Sequence, residues 1–183
     1  MSLKKDLQDN QIIVILIPTS LYVSKINDII KTVANQSNKT CYLALNKPYK
    51  SMMQILQKNK IDPKKFFFID AISKTVSIPE PQKNAEFLAT PKSLTKLSLS
   101  ITYALENRKI DSVLFDSLST LLVYASETQV IKFAHFIMAK IRTTNSKGIF
   151  ISLKEDVQSD LLNDLQMFAD KVIDLSKKEG GEK

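Results

Sequence analysis

Glycine is nearly missing from this chain: three residues out of 183, at positions 148, 180 and 181. A phosphate cradle of the G-x-x-x-x-G-K-[ST] kind needs glycines so that successive backbone N–H groups can converge on the anion, and no such loop can be assembled from these three. Cysteine is reduced to Cys41 and histidine to His135. An intramolecular disulfide and a cysteine-based metal cage are therefore excluded, and a reduced intracellular setting is expected. Tryptophan is absent, and Arg108 and Arg142 are the only arginines. No apolar run approaches the roughly 18 residues that cross a bilayer, and the opening MSLKKDLQDN lacks the apolar core of a signal peptide. A soluble, cytoplasmic protein without membrane insertion is the expectation.

What is present suits one globular domain: 44% apolar, 8% aromatic and 25% charged residues give a chain of this length enough apolar material for a sizeable core. Residues 11–175 are read as that single domain, 1–10 as a lead-in and the polar 176–183 as a disordered tail. The net charge of +7 is uneven, with +6 over residues 1–60, +3 over 61–110 and −2 over 111–183. A basic front can attract nucleic acid, an acidic partner or a membrane surface. Singly scattered lysines, however, are the pattern of a solvated face, and arginine, the usual bidentate phosphate and base reader, is scarce. Nucleic acid is accordingly the weaker expectation among the partners.

Short apolar runs alternate with helical patterns: IIVILI (12–17), CYLAL (41–45), FFFID (66–70), EFLA (86–89), SVLFD (112–116), GIFISL (148–153) and KVIDL (171–175). Continuous apolar runs, without polar alternation, are what strands covered on both faces look like. Between them, apolar residues recur at helical spacing, as in Leu21, Ile26, Ile29, Ile30, Val33 and in Val130, Phe133, Ala134, Ile137, Met138, Ile141. TPKSLTKLSLSITYALEN (90–107) carries Pro91 near its start and Ser93 as a cap. The expected fold is α/β, a three-layer αβα sandwich around a mainly parallel sheet. SKTVSIPEPQKN (73–84), polar and interrupted by Pro79 and Pro81, reads as a loop.

In such folds chemistry gathers at the carboxyl ends of the strands. After the first strand the turn reads Pro18, Thr19, Ser20, Leu21, Tyr22, Val23. Bulky side chains stand where a cradle would need positive φ or close backbone approach. Ser20 and Lys25 are the only nearby candidates for a phosphate contact.

The stretch SVLFDSLSTLLVY (112–124) resembles the Walker B strand and following segment of KaiC-like proteins in the RecA superfamily, a kind abundant in archaea. The order of elements is similar too: 12–17 stands in the position of the P-loop strand, TCYLALNKP (40–48) of the second, IDPKKFFFIDAIS (61–73) of the third, and KGIFISLKED (147–156) of the next, with Ser152 near the place of a polar sensor. The resemblance implies a RecA-like fold over about residues 11–175. It also implies that Asp116 matches the family's Mg²⁺-associated aspartate, with Ser117 after it. The chain departs from the family by having no Walker A motif, and by carrying Leu45, Asn46 and Lys47 where ATP-hydrolysing members place acidic residues. Asp116 without bound phosphates is a poor Mg²⁺ site, and is read as a structural hydrogen-bond acceptor or cap.

Other constellations are weaker. His135 lies inside a helical pattern without a G-x-S-x-G elbow, so it reads as a helix-surface residue. Cys41 reads as a small buried filler. Asp70 ends a strand and Lys154 follows another, as in phosphoacceptor domains, but the acidic pair that would hold Mg²⁺ is missing. Tyr49 between Lys47 and Lys50 can stack a base, yet reads as the start of a helix after Pro48. Met52 and Met53 read as core or partner contacts. The functional expectation is a non-catalytic RecA/KaiC-like regulatory or scaffolding module with no catalytic residue, metal or cofactor, associating with another protein, a KaiC-like ATPase or itself. The alternatives are a weak ATP- and Mg²⁺-binding protein or ATPase completed by a partner subunit, using Asp116, Ser117, Ser20 and Lys25, and, below it, a nucleic-acid-binding scaffold.

Overall fold

The computed structural model describes residues 3–156 and 159–176. Seven strands form one sheet: β1 Ile12–Ile17, β2 Thr40–Ala44, β3 Phe66–Asp70, β4 Ala85–Phe87, β5 Ser112–Asp116, β6 Lys147–Leu153 and β7 Lys171–Asp174. Their order is β4-β3-β2-β5-β6-β1-β7, and every pairing is parallel. Helices α1 Leu3–Asp9, α2 Thr19–Gln36, α3 Tyr49–Lys58, α4 Ser73–Val76, α5 Leu94–Asn107, α6 Leu118–Leu122, α7 Glu127–Thr143 and α8 Ser159–Phe168 complete the described residues.

Alternation along the strands divides the core into two halves. Ile13, Ile15, Ile17, Tyr42, Phe66 and Phe68 point to one face, where Leu7 of α1, Ile26, Ile30 and Val33 of α2 and Met52 and Leu56 of α3 cover them. Ile12, Val14, Leu16, Cys41, Phe67, Phe115 and Phe150 point to the other, under α5, α6, α7 and α8. The result is the three-layer αβα sandwich with a parallel, RecA-like sheet. The runs of β1, β2, β3, β5 and β6 are thus strands buried on both sides, with the FFF run sealed entirely, whereas β4 and β7, at the two edges of the sheet, are only half-buried. Cys41 is one of these fillers, and burial pushes its thiol well above the usual range.

Most elements fall where the sequence places them, with a residue or so of difference at the ends. Ser93 caps α5 through the backbone N–H of Lys96, and Ser126 with Gln129 forms a full capping box on α7. Part of the 73–84 segment is not loop: Ser73–Val76 makes one helical turn, α4. The expected tail, apart from Ser176, lies outside the described residues. The lead-in is helical, and packs Leu7 under the sheet.

The shortage of glycine shows at the helix ends. Lys60, Lys109 and Asn145 take φ of 55°, 53° and 52° just past the C-caps of α3, α5 and α7. This left-handed position is where helices ordinarily use glycine; a side chain there costs about 1–2 kcal/mol.

Candidate functional site

At the carboxyl end of β5, Asp116 gathers side chains from β2 and from the first turn of α2. Its side chain is 2% exposed, and both oxygens are occupied. The Tyr42 hydroxyl, from β2, donates to Oδ2 at 2.6 Å. The Tyr22 hydroxyl, from the first turn of α2, reaches Oδ1 and Oδ2 at 2.7 and 2.8 Å. Asn46 Nδ2 approaches Oδ1 at 3.4 Å. Burial first, then the Asp116 charge beside them, holds both phenols far above their ordinary pKa, so they stay protonated and donate.

Lys47 closes the outside of this cluster, with Nζ donating to the Tyr22 hydroxyl at 3.0 Å and lying 4.5 Å from the centre of its ring. Asn46 is held in turn by the Thr120 hydroxyl, and Ser117 Oγ lies 3.1 Å from Thr120 Oγ1. The peptide joining Asp116 to Ser117 is cis. Ser152, expected near the sensor place, is buried with its Oγ 3.0 Å from that of Ser119. The network is satisfied internally. A cation seeking Asp116 would first have to displace a tyrosine, at the expense of a charge-assisted hydrogen bond.

The turn before Tyr22 is equally closed. β1 ends at Ile17 and α2 begins at Thr19, so the whole connection is Pro18. A phosphate-enclosing loop has no length here. Pro18 offers no side-chain cap; instead Glu155, from the segment after β6, accepts from Thr19 N at 3.0 Å and from Thr19 Oγ1 at 2.8 Å. A carboxylate of the chain itself thus sits on the helix N-terminus, the end that favours an anion. Ser20 and Lys25 are exposed and make no side-chain hydrogen bond or ion pair among the described residues. Asp116, Ser117 and Asn46 are therefore brought together, while Ser20 and Lys25 do not join them.

Hydrogen bonds from its own backbone and from Thr19 hold the Glu155 carboxyl below its usual range. A depressed folded-state pKa contributes stability at pH values above the unfolded carboxyl value, and loses it as the pH falls through the folded one. Glu155→Gln is expected to flatten the acid limb of a plot of urea midpoint against pH between roughly pH 5 and 3. An unchanged slope would remove this contact from the account of the α2 N-terminus.

The remaining sequence candidates are structural. Asp70 is buried and takes donors from Tyr49 N, Ile72 N, Ser73 N and Ser73 Oγ at 2.6–2.8 Å. It caps α3, whose own N-cap is Pro48, as well as the turn of α4. Lys154 pairs with Asp174 at 2.9 Å, not with Asp70. The Tyr49 ring packs at right angles to Phe68 and Phe87, and its hydroxyl donates to Asn84, so it is tied into the start of α3. Met52 is core and Met53 lies at its margin. His135 stacks on Phe168 at 3.6 Å, with Nε2 4.0 Å from Asp164, and no serine or cysteine completes a catalytic array with it among the described residues. Likewise, no group of three or more histidine, cysteine or acidic side chains could hold a metal ion among those residues. No helix there is long and apolar enough to cross a membrane.

Sequence reading missed Tyr22 and Tyr42 as partners of Asp116, and Glu155 as a cap. The signal for Tyr42 was legible: a hydroxyl inside an otherwise apolar strand must find an acceptor at depth. Nothing local foretold Glu155, which lies 136 residues from Thr19.

No curated protein matches the chain. Among solved structures, a KaiC-like protein, PH0186, from the hyperthermophilic archaeon Pyrococcus horikoshii OT3 superimposes with a TM-score of 0.65 over 90% of this chain and 72% of that one, at 11% identity. That likeness is one of fold. The sequence itself matches, over residues 56–175, the Family of unknown function (DUF7504), and to that family the chain belongs.

Proposed function

We propose that the chain is a non-catalytic RecA/KaiC-like module, with a degenerate Walker A region, that regulates or scaffolds by associating with another protein, either a KaiC-like ATPase or a second copy. The observation that carries this reading is the sealed Asp116. The carboxylate equivalent by resemblance to a Mg²⁺-associated residue is closed by Tyr22 and Tyr42. The one-residue turn beside it gives no length for a phosphate loop, and Glu155 occupies the Thr19 donors at the helix start. Support for association comes from large apolar side chains left at the surface, including Ile78 at 99% and Val76 at 79% exposure. Val76 borders an apolar cleft of about 430 Å³ walled by Tyr49, Met53, Pro79 and Phe87.

The test is thermal unfolding with and without millimolar ATP and Mg²⁺. Ligand present at 100 times its Kd adds about 2.7 kcal/mol to stability and raises the midpoint of a domain this size by roughly 5–11 °C. No shift is expected. A clear rise would favour the weak nucleotide-binding alternative, and Asp116→Ala and Lys25→Ala would then locate the site.

A further inference from the structure

We infer that the groove between β4 and the outer face of α5 is a protein-docking site in which Arg108 receives a carboxylate side chain presented by a partner beside an apolar residue. This inference rests on the association reading above and names where, and with what chemistry, the partner is held.

Arginine is used twice in the chain, and the two guanidinium groups are treated in opposite ways. Arg142 is consumed at home, by Asp170 at 2.8 Å and the Phe168 carbonyl at 3.0 Å. Arg108 makes no side-chain hydrogen bond and no ion pair among the described residues, and its Nε is buried without an acceptor. Its position is nevertheless fixed. The guanidinium carbon lies 4.1 Å from the centre of the Phe67 ring, itself 1% exposed, and 5.8 Å from that of Tyr103. Stacking covers one face of the planar group and, with Nε buried, leaves the two terminal nitrogens to the groove, an arrangement suited to bidentate recognition of a carboxylate.

The groove measures about 430 Å³ and is walled by Ala85, Glu86, Leu99, Ser100, Tyr103 and Arg108. Glu86 does not neutralise the arginine: no ion pair joins them, and Glu86 Oε1 takes the Ser100 hydroxyl at 2.8 Å. The rim is apolar and exposed, with Leu99 at 65% and Tyr103 at 53%. These two lie one turn apart on α5. Lys140 of α7 pairs with Glu106 of α5. One turn before each of those residues stand Phe136, 50% exposed, and Tyr103, so the same geometry carries the apolar strip from α5 onto α7. A pre-positioned arginine beside an exposed tyrosine, ringed by aliphatic and aromatic surface, is the composition of an interface hot spot. Charge selects the occupant: residues 83–109, which hold β4 and α5, carry five basic and two acidic side chains, a net +3, which attracts an acidic partner and repels the same surface of a second copy.

The experiment is a titration of the full ¹⁵N-labelled chain with two blocked peptides, one alternating glutamate with leucine and phenylalanine, the other carrying glutamine in place of glutamate. The glutamate peptide is expected to shift the Arg108 Nε–H signal and the amides of residues 99–103, and the glutamine peptide to bind at least tenfold more weakly. Arg108→Lys, checked for an unchanged spectrum elsewhere, should lose the glutamate preference, while Glu86→Gln should strengthen binding by removing a like charge from the wall. Equal binding of the two peptides overturns the proposal, as do shifts confined to the lysines of residues 4–65. Tighter binding of 3-phenylpropionate alone would make the groove a small-carboxylate pocket, and shifts that grow with protein concentration without peptide would make it a self-interface; both also overturn it. The readout is separate from the nucleotide test, since an ATP-induced rise in melting temperature would sink the functional proposal and leave the peptide map unchanged.

Discussion

Asp116→Ala is expected to unfold roughly 6–12 °C below the parent chain, a loss of about 3 kcal/mol for a domain of this size. The reasoning follows the donors. With the carboxylate gone, the Tyr42 hydroxyl, fully buried, has no acceptor and keeps its whole desolvation penalty. Tyr22, half-buried, keeps the hydrogen bond it accepts from Lys47 and can donate to water instead, so it loses less. Tyr42→Phe should cost less than Asp116→Ala, because the carboxylate keeps Tyr22 and Asn46. The double variant Asp116→Leu/Tyr42→Phe should cost clearly less than the sum of its parts, since removing both members of a buried polar pair strands neither. Calorimetry of the set decides the matter. Had Asp116 been kept for a ligand that is absent, its removal would relieve an electrostatic cost and raise the melting temperature, as substitutions at functional sites often do. A stabilised Asp116→Ala protein would thus return the residue to the list of binding groups.

How far the sequence carries can be judged from particular residues. The parallel sheet was legible because strands buried on both faces leave short continuous apolar runs: IIVILI has no polar side chain and FFFID only its last residue. The RecA-like order of elements rested on the resemblance of residues 112–124. The lack of glycine in the turn after the first strand was legible in the same local way. What closes Asp116 was not legible. Tyr22 and Tyr42 stand 94 and 74 residues away from it in the chain, and a single sequence records no such pairing. Arg108 was visible only as one of two scarce residues. Its lack of an acceptor is a property of everything around it, which only the packed structure supplies.

A recurrent device explains several of these long-range links. Helices α2 and α3 both begin after a proline, Pro18 and Pro48, and neither has a side-chain N-cap of its own. A proline at the N-cap fixes its own φ but carries no side-chain acceptor for the free N–H groups that follow it. The missing acceptor comes from a carboxylate at or just past the end of another strand, Glu155 after β6 for α2 and Asp70 of β3 for α3. The capping interaction thereby becomes tertiary, and fastens the helix start to the carboxyl edge of the sheet. In this chain the acids at that edge hold the fold together, a role that competes with chemistry for the same oxygens.

Asp70 puts that competition to its strongest test, and Asp70→Ala is expected to cost about 3–5 kcal/mol, the largest effect of any single carboxylate here. Four donors converge on it, three of them backbone N–H groups that cannot rotate away. Asp70→Asn separates the two helices it serves. The amide oxygen can replace Oδ1 and keep the Ile72 and Ser73 N–H groups at the α4 turn, but its NH₂ then faces the Tyr49 N–H, donor against donor. Hydrogen exchange should show the first turn of α3 losing protection in the asparagine variant while Ile72 and Ser73 keep theirs. If the amide settles the other way round, the losses exchange places, and in either arrangement one helix start opens. Protection unchanged at both ends, with an unaltered melting temperature, would mean that the carboxylate is not the cap. Asp70 would then be free to act as an acceptor of phosphate. With all four donors in place it has no such freedom, because a nucleophilic oxygen must first give up the hydrogen bonds that stabilise its charge.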